Sequence, residues 1–108
     1  MHKKDMEASR IKRVEEMEAI LNRWNGLAEE GEKLLEAMEE AMPELERLVA
    51  YYSSPDWNKD YYASDAGEFP EDLPQGVLSQ DAVFDLLTLL RGLVLMAQSM
   101  NLRIARIP

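Results

Sequence analysis

VEEMEAILNRWNGLAEEGEKLLEAMEEAMPELERLVAYY, residues 14–52, repeats in sevens. One series runs Val14, Leu21, Ala28, Leu35, Met42 and Val49, and a second, three residues on, runs Met17, Trp24, Gly31, Met38, Leu45 and Tyr52. A third, one residue before the first, runs Ile20, Leu27, Leu34, Ala41 and Leu48. Every position but Gly31 is apolar or aromatic. Three such positions in seven give a helix a wide apolar face, broader than a bare coiled-coil seam. The rest of the chain has to cover that face.

Two kinds of residue interrupt the pattern. Gly26 and Gly31 each cost ~1 kcal/mol relative to alanine inside a helix. The heptad phase passes through both undisturbed, which a turn would not allow. The sequence therefore predicts a continuous helix, with Gly31 allowing close approach of another backbone. Pro43 lacks a backbone donor and clashes with the preceding turn. The phase holds across it too, so the helix either kinks there or restarts with Pro43 in its first turn. The long helix is predicted over residues 5–53, starting near Asp5 or Ser9.

A second long helix is predicted over 79–101. Ser79 is a good N-cap, and Leu78 and Val83 stand where a hydrophobic staple would put them. Its apolar positions, Val83, Leu86, Leu87, Leu90, Leu93, Val94, Ala97 and Met100, leave only a narrow polar strip. Residues 6–42 as one helix span about 55 Å at ~1.5 Å per residue, while this one is roughly 33 Å long. The shorter helix, packed antiparallel, cannot cover the longer, nor the longer cover all sides of the shorter; either residues 54–78 fold back over the remainder within one chain, or two copies of the chain remove both deficits. The expectation is an all-α helical bundle that forms a homodimer, each chain a single domain over 1–108. The basic tail with Arg103 and Arg106 either frays or extends the helix by a turn.

Composition narrows the chemistry. The chain has no cysteine, so disulfides, thiolate metal sites and cysteine nucleophiles are excluded. The single histidine is His2, at the terminus, which removes serine–histidine triads and histidine-ligated zinc from the body of the chain. The apolar run Val83–Ala97 holds Asp85, Arg91 and Gly92 and is read as too short and too charged to span a bilayer, which needs ~20 apolar residues. A cytoplasmic location is expected. The net charge of −9 is unevenly spread: 13 acids and 8 bases over 1–50, 8 acids and only Lys59 over 51–85, three arginines and no acid over 86–108. An acidic middle repels phosphate, which disfavours nucleic acid and membrane surfaces as partners.

The connection 54–78 differs from its surroundings. Tyr51, Tyr52, Trp57, Tyr61, Tyr62 and Phe69 make up six of the chain's eight aromatics, and Asp56, Asp60, Asp65, Glu68, Glu71 and Asp72 lie among or just after them. A structureless loop of ~25 residues is long for a compact domain, and the aromatics argue against disorder. Pro55 is placed to start a short helix from Asp56 to about Ser64, with Ser54 as its cap. Asp56-Trp57-Asn58-Lys59-Asp60 matches the opening of an EF-hand loop, but Tyr61 stands where glycine is needed and Gly67 where the bidentate glutamate belongs. A different oxygen-ligand site for Mg²⁺ or Ca²⁺ would draw on Asp56, Asp60, Asp65 and Glu68. Otherwise Trp57, Tyr61 and Phe69 plug the end of the bundle with hydroxyls bonded to carboxylates, or the segment forms an aromatic groove rimmed by acids that suits a basic protein segment.

The stretch YYSSPDWNKDYYASDAGEFPEDLPQGVLSQDAVFDLL resembles a small bacterial family known as domain of unknown function, family 4298. The Tyr51–Tyr52 pair, Trp57 with Asp60 and Tyr61, Asp65 with Gly67, Leu73, Gly76-Val77-Leu78-Ser79 with Asp81, and Asp85-Leu86-Leu87 carry the resemblance. Gln80 and Phe84 depart from it, where glutamate and tyrosine are expected. The resemblance implies a mostly helical protein of roughly a hundred residues and names no substrate, cofactor or catalytic residue. The function expected is a non-enzymatic, self-associating interaction module. Its contact surface is placed on Tyr51, Tyr52, Trp57, Asp60, Tyr61, Tyr62, Asp65, Glu68 and Phe69. The alternative is a small metal- or ligand-binding protein, conceivably an enzyme, that uses the carboxylates of residues 56–72.

Overall fold

A computed structural model describes residues 2–108, and among these the chain is all-α, with no strand. The helices are α1 (Lys3–Tyr52), α2 (Pro55–Asp65) and α3 (Ala82–Ala105), with a 3₁₀ turn at Gly76–Leu78 before α3. The chain divides into two compact units after Pro43, and each is taken by itself.

The first unit is helical from Lys3 onward. The helix begins before either expected cap, because the His2 carbonyl accepts the N–H groups of both Asp5 (3.0 Å) and Met6 (3.2 Å). Asp5 instead lies in the first turn, where a carboxylate favours the positive end of the helix dipole. The phase argument through Gly26 holds, since the helix is unbroken there. The close approach expected at Gly31 is not made within the chain: a Cβ added there would meet nothing within 4 Å. Val14, Met17, Leu21, Trp24, Leu35 and Met38 are all exposed. Helicity continues without a break through Pro43, so the restart there does not occur. Pro43 leaves the Glu39 carbonyl without its intrahelical donor, and this stretch is exposed, so water supplies the missing bond.

In the second unit the last turns of α1, then α2, the 3₁₀ turn and α3 follow one another. Ser54 is extended and its hydroxyl accepts the Trp57 N–H (3.4 Å), while Pro55 stands at the start of α2, where its missing N–H costs nothing. The far end of α2 is closed by Gly67, the one residue here with positive φ (+73°). The Gly67 N–H bonds to Ser64 O (3.0 Å) and the Glu68 N–H to Ala63 O (2.9 Å), the paired bonds of a Schellman motif. α2 therefore runs one residue further at each end than expected.

α3 is displaced along the sequence relative to its prediction. Regular helix begins at Ala82, after Ser79, and persists to Ala105, four residues past Asn101. Ser79 nevertheless does the capping: it is extended, and its hydroxyl accepts the N–H groups of Asp81 (3.3 Å) and Ala82 (3.2 Å). Leu78 and Val83, the pair expected to staple this entry, are the two buried hydrophobics, at 8% and 2% exposure. The 3₁₀ turn packs on both α2 and α3. Half-buried Leu45, Leu48 and Val49 of α1 accompany half-buried Leu86, Leu87 and Leu90 of α3.

α3 contains an 18-residue window of mean hydropathy 1.5, so by length and composition it is long and apolar enough to cross a membrane. This differs from the expectation that the run is too short and too charged, because the leucines, valines and methionines around Asp85 and Arg91 outweigh these two charges.

Candidate functional site

The residues singled out in the connection meet around α2. Trp57, in the first turn, stacks on Tyr61 one helical turn later, with centroids 5.2 Å apart and planes at 17°. Spacing of i and i+4 on a helix sets this contact. Tyr52, from the end of α1, meets Trp57 edge-on at 5.3 Å and 72°. Tyr62 meets Tyr61 edge-on at 5.5 Å. Offset-stacked and edge-to-face pairs are the arrangements the ring quadrupoles favour, each worth ~0.5–1.5 kcal/mol beyond burial.

The polar atoms of these rings reach across to the following segment. Trp57 Nε1 donates to the Val77 carbonyl (3.0 Å), and the Tyr52 hydroxyl donates to the Gln80 carbonyl (2.6 Å). The Ser64 hydroxyl donates to Gln75 Oε1, and Gln75 Nε2 in turn donates to the Leu73 carbonyl (3.4 Å). The rings therefore fasten α1 and α2 to the 3₁₀ turn and the start of α3. They are a brace in which the Trp57 and Tyr52 donors are engaged.

Tyr51 turns the other way. Its hydroxyl donates to Asp60 Oδ2 at 2.6 Å. The bond to the Asp60 carboxylate, then burial, then the negative charges of Asp60 and Asp56 push the Tyr51 phenol up to about 12, from an ordinary value near 10. A phenol whose folded pKa is raised contributes stability that is complete below its unfolded pKa and is lost as pH climbs through its folded one. The window here is pH ~10 to ~12. Absorbance at 295 nm should show a tyrosine ionising near pH 12 that disappears in Tyr51→Phe. An unchanged high-pH step in that variant would show that the Tyr51–Asp60 bond does not hold in solution.

The carboxylates do not converge. Asp60 is half-buried on Tyr51, while Asp56, Asp65 and Glu68 are exposed. Among the described residues no three Asp, Glu or His side chains stand close enough to hold an ion. The oxygen-ligand set expected from Asp56, Asp60, Asp65 and Glu68 is thus not assembled. Asp56 and Asp60, four residues apart, share one face of α2, while Asp65 lies on another side and Glu68 on the turn that closes the helix.

Phe69 is half-buried beyond that turn, and Tyr62, 69% exposed, is the one ring of the group left open. The acceptors Val77 O, Gln80 O and Gln75 Oε1 were not foreseeable, since two are main-chain atoms and the third follows only from the path of the loop. A groove on the second unit was also missed. Leu45 of α1 lines it with Leu87, Leu90, Arg91, Val94 and Leu95 of α3. The unbroken apolar face of α3 was the signal for it.

Three helices, an aromatic brace and wide uncovered apolar faces define a small all-α protein. Its particular family follows from the comparison of the whole chain. The chain belongs to the family described as Domain of unknown function (DUF4298), which it matches over residues 14–100. No curated protein and no solved structure matches it.

Proposed function

We propose that this protein is a non-enzymatic, self-associating interaction module of the cytoplasm. The observation that carries the proposal is exposed apolar surface in ordered helix. Trp24 is 58% exposed and Leu35 64%, and the same holds along both α1 and α3. Covering one such side chain fully is worth ~1.5–3 kcal/mol, so a chain that leaves two rows of them open gains far more from a partner than from solvent. A second copy is the simplest partner, because it brings the same open faces in equal number.

The contact surface in this proposal lies on the faces of α1 and α3. The rings and donors of the Tyr51–Phe69 group are largely engaged within the chain. The exposed acids of that group, with Tyr62, suit a basic protein segment as a further partner.

Sedimentation equilibrium from 1 to 100 µM tests the proposal. Twice the chain mass, or a higher multiple, is expected across most of this range. A chain that stays monomeric throughout would overturn it. If that monomer also co-sediments with lipid vesicles, α3 belongs in a bilayer and not against protein.

A further inference from the structure

The charges of α1 are sorted by position along the helix. Residues 1–13 hold Lys3, Lys4, Arg10, Lys12 and Arg13 against Asp5 and Glu7, a net +3. Residues 24–43 hold six glutamates against Lys33 alone, a net −5. Between them lie Glu15, Glu16, Glu18 and Arg23, and the exposed apolar face runs through all three stretches. Resting on the self-association proposed above, we infer that two copies pair through this part of α1, antiparallel, about a two-fold axis near Gly26.

Charge decides the direction. Antiparallel pairing about Gly26 sets Lys12, Arg13 and Arg23 of each copy level with Glu40, Glu39 and Glu29 of the other, against one like-charge pair, Glu16 with Glu36. Parallel pairing sets six glutamates against six. Packed helices lie ~8–10 Å apart, about one Debye length at physiological salt, so the flanking charges of one helix are felt by the other. Such exposed charges contribute more to orientation than to affinity, which comes from the apolar face.

Side-chain size decides the position of the axis. In an antiparallel pair the first heptad series faces the second. With the axis at Gly26, Trp24 lies against Ala28 of the second copy, and Leu21 against Gly31 of the second copy. A ring then meets a methyl group, and a leucine meets bare backbone. The space is there, since a Cβ at Gly31 would meet nothing within 4 Å. Parallel pairing in register would set Trp24 on Trp24 and leave Gly31 facing Gly31 across a gap. Large residues opposite small ones fill an interface, whereas matched extremes leave it both crowded and hollow.

Because the chain has no cysteine, single labels are unambiguous. Lys12→Cys and Glu40→Cys, each spin-labelled, report the distance between copies by pulsed dipolar spectroscopy in the full-length protein. Both sites are exposed. Each lies 14 residues from the axis, so each variant alone should give about 42 Å at ~1.5 Å per residue. A mixture of the two should add a much shorter distance, from Lys12→Cys of one copy to Glu40→Cys of the other. A short distance in the Lys12→Cys sample alone means a parallel pair. It overturns the inference while leaving self-association in place. Any other set of distances moves the contact off this face and overturns it equally. The absence of dipolar coupling, with a monomer in sedimentation, removes the underlying reading together with it.

Discussion

Trp57→Ala is expected to lower the stability of the second unit by about 3 kcal/mol, the cost typical of truncating a packed tryptophan. The side chain holds three things at once: the stack on Tyr61, the edge contact with Tyr52 and the hydrogen bond to the Val77 carbonyl. Removing it frees Tyr52 and Tyr61 from one neighbour and leaves the Val77 carbonyl to water. A unit this small holds only ~3–10 kcal/mol in all, at ~0.05–0.15 kcal/mol per residue, so the variant should be substantially unfolded near physiological temperature. Trp57→Phe separates the contributions, because it keeps a ring for stacking and loses the donor. It should cost about 1 kcal/mol, the net worth of a typical hydrogen bond. Urea unfolding followed by far-ultraviolet circular dichroism measures both. Equal midpoints for wild type and Trp57→Ala would show that the aromatic brace is not what joins α2 to the segment after it.

Val83→Asp should be at least as damaging, and its effect should depend on pH. Val83 is the most buried of the described residues, at 2% exposure, and it stands at the entry to α3 together with Leu78. A carboxylate placed there has no partner, and burying an unpaired charge costs several kcal/mol unless the group takes up a proton. Burial therefore raises its pKa in the folded state. The sign follows: the part of the penalty due to charge is absent below the unfolded value of ~3.9, grows as pH rises from there to the folded value, and is then constant. Val83→Ala serves as the reference. It leaves a cavity and no charge, so its cost should not change with pH. Unfolding midpoints of the three proteins between pH 4 and 8 distinguish the cases. A Val83→Asp midpoint that tracks Val83→Ala at every pH would mean that the site opens to water and that the staple does not close the helix entry.

Much of the secondary structure could be read from local chemistry. The heptad phase carried the helix through Gly26 and Pro43 because the spacing of apolar side chains fixes which way each one points, whatever the local propensity. Ser54 before Pro55, and Ser79 between Leu78 and Val83, marked two helix entries because capping is a matter of a few adjacent atoms. The start of α3 moved to Ala82 because the Ser79 hydroxyl holds the first two donors while the chain between them is still a bend. The closure of α2 at Gly67 depends on a positive φ, and glycine in the sequence permits that conformation without demanding it. The carboxylates of residues 56–72 looked like a set because they are near in sequence. A helix and a Schellman turn send near neighbours in different directions, and only Asp60 met one of the aromatics by a hydrogen bond, at Tyr51. The brace itself was half legible: the rings could be named, but their acceptors could not.

Those acceptors have a consequence for how the chain tolerates change. Trp57 and Tyr52 each grip a peptide carbonyl, at Val77 and at Gln80. Every amino acid supplies one, so the side chain at either position is free of that duty, and glutamate at 80 would be gripped as well as glutamine. What the two rings do depend on is the number of residues between them and the carbonyls they reach. One residue inserted between Gly76 and Val77 would present each donor with the wrong peptide unit, whatever that residue was. At this point the fold measures its own chain by length, as a ruler does, and is nearly indifferent to the letters written on it.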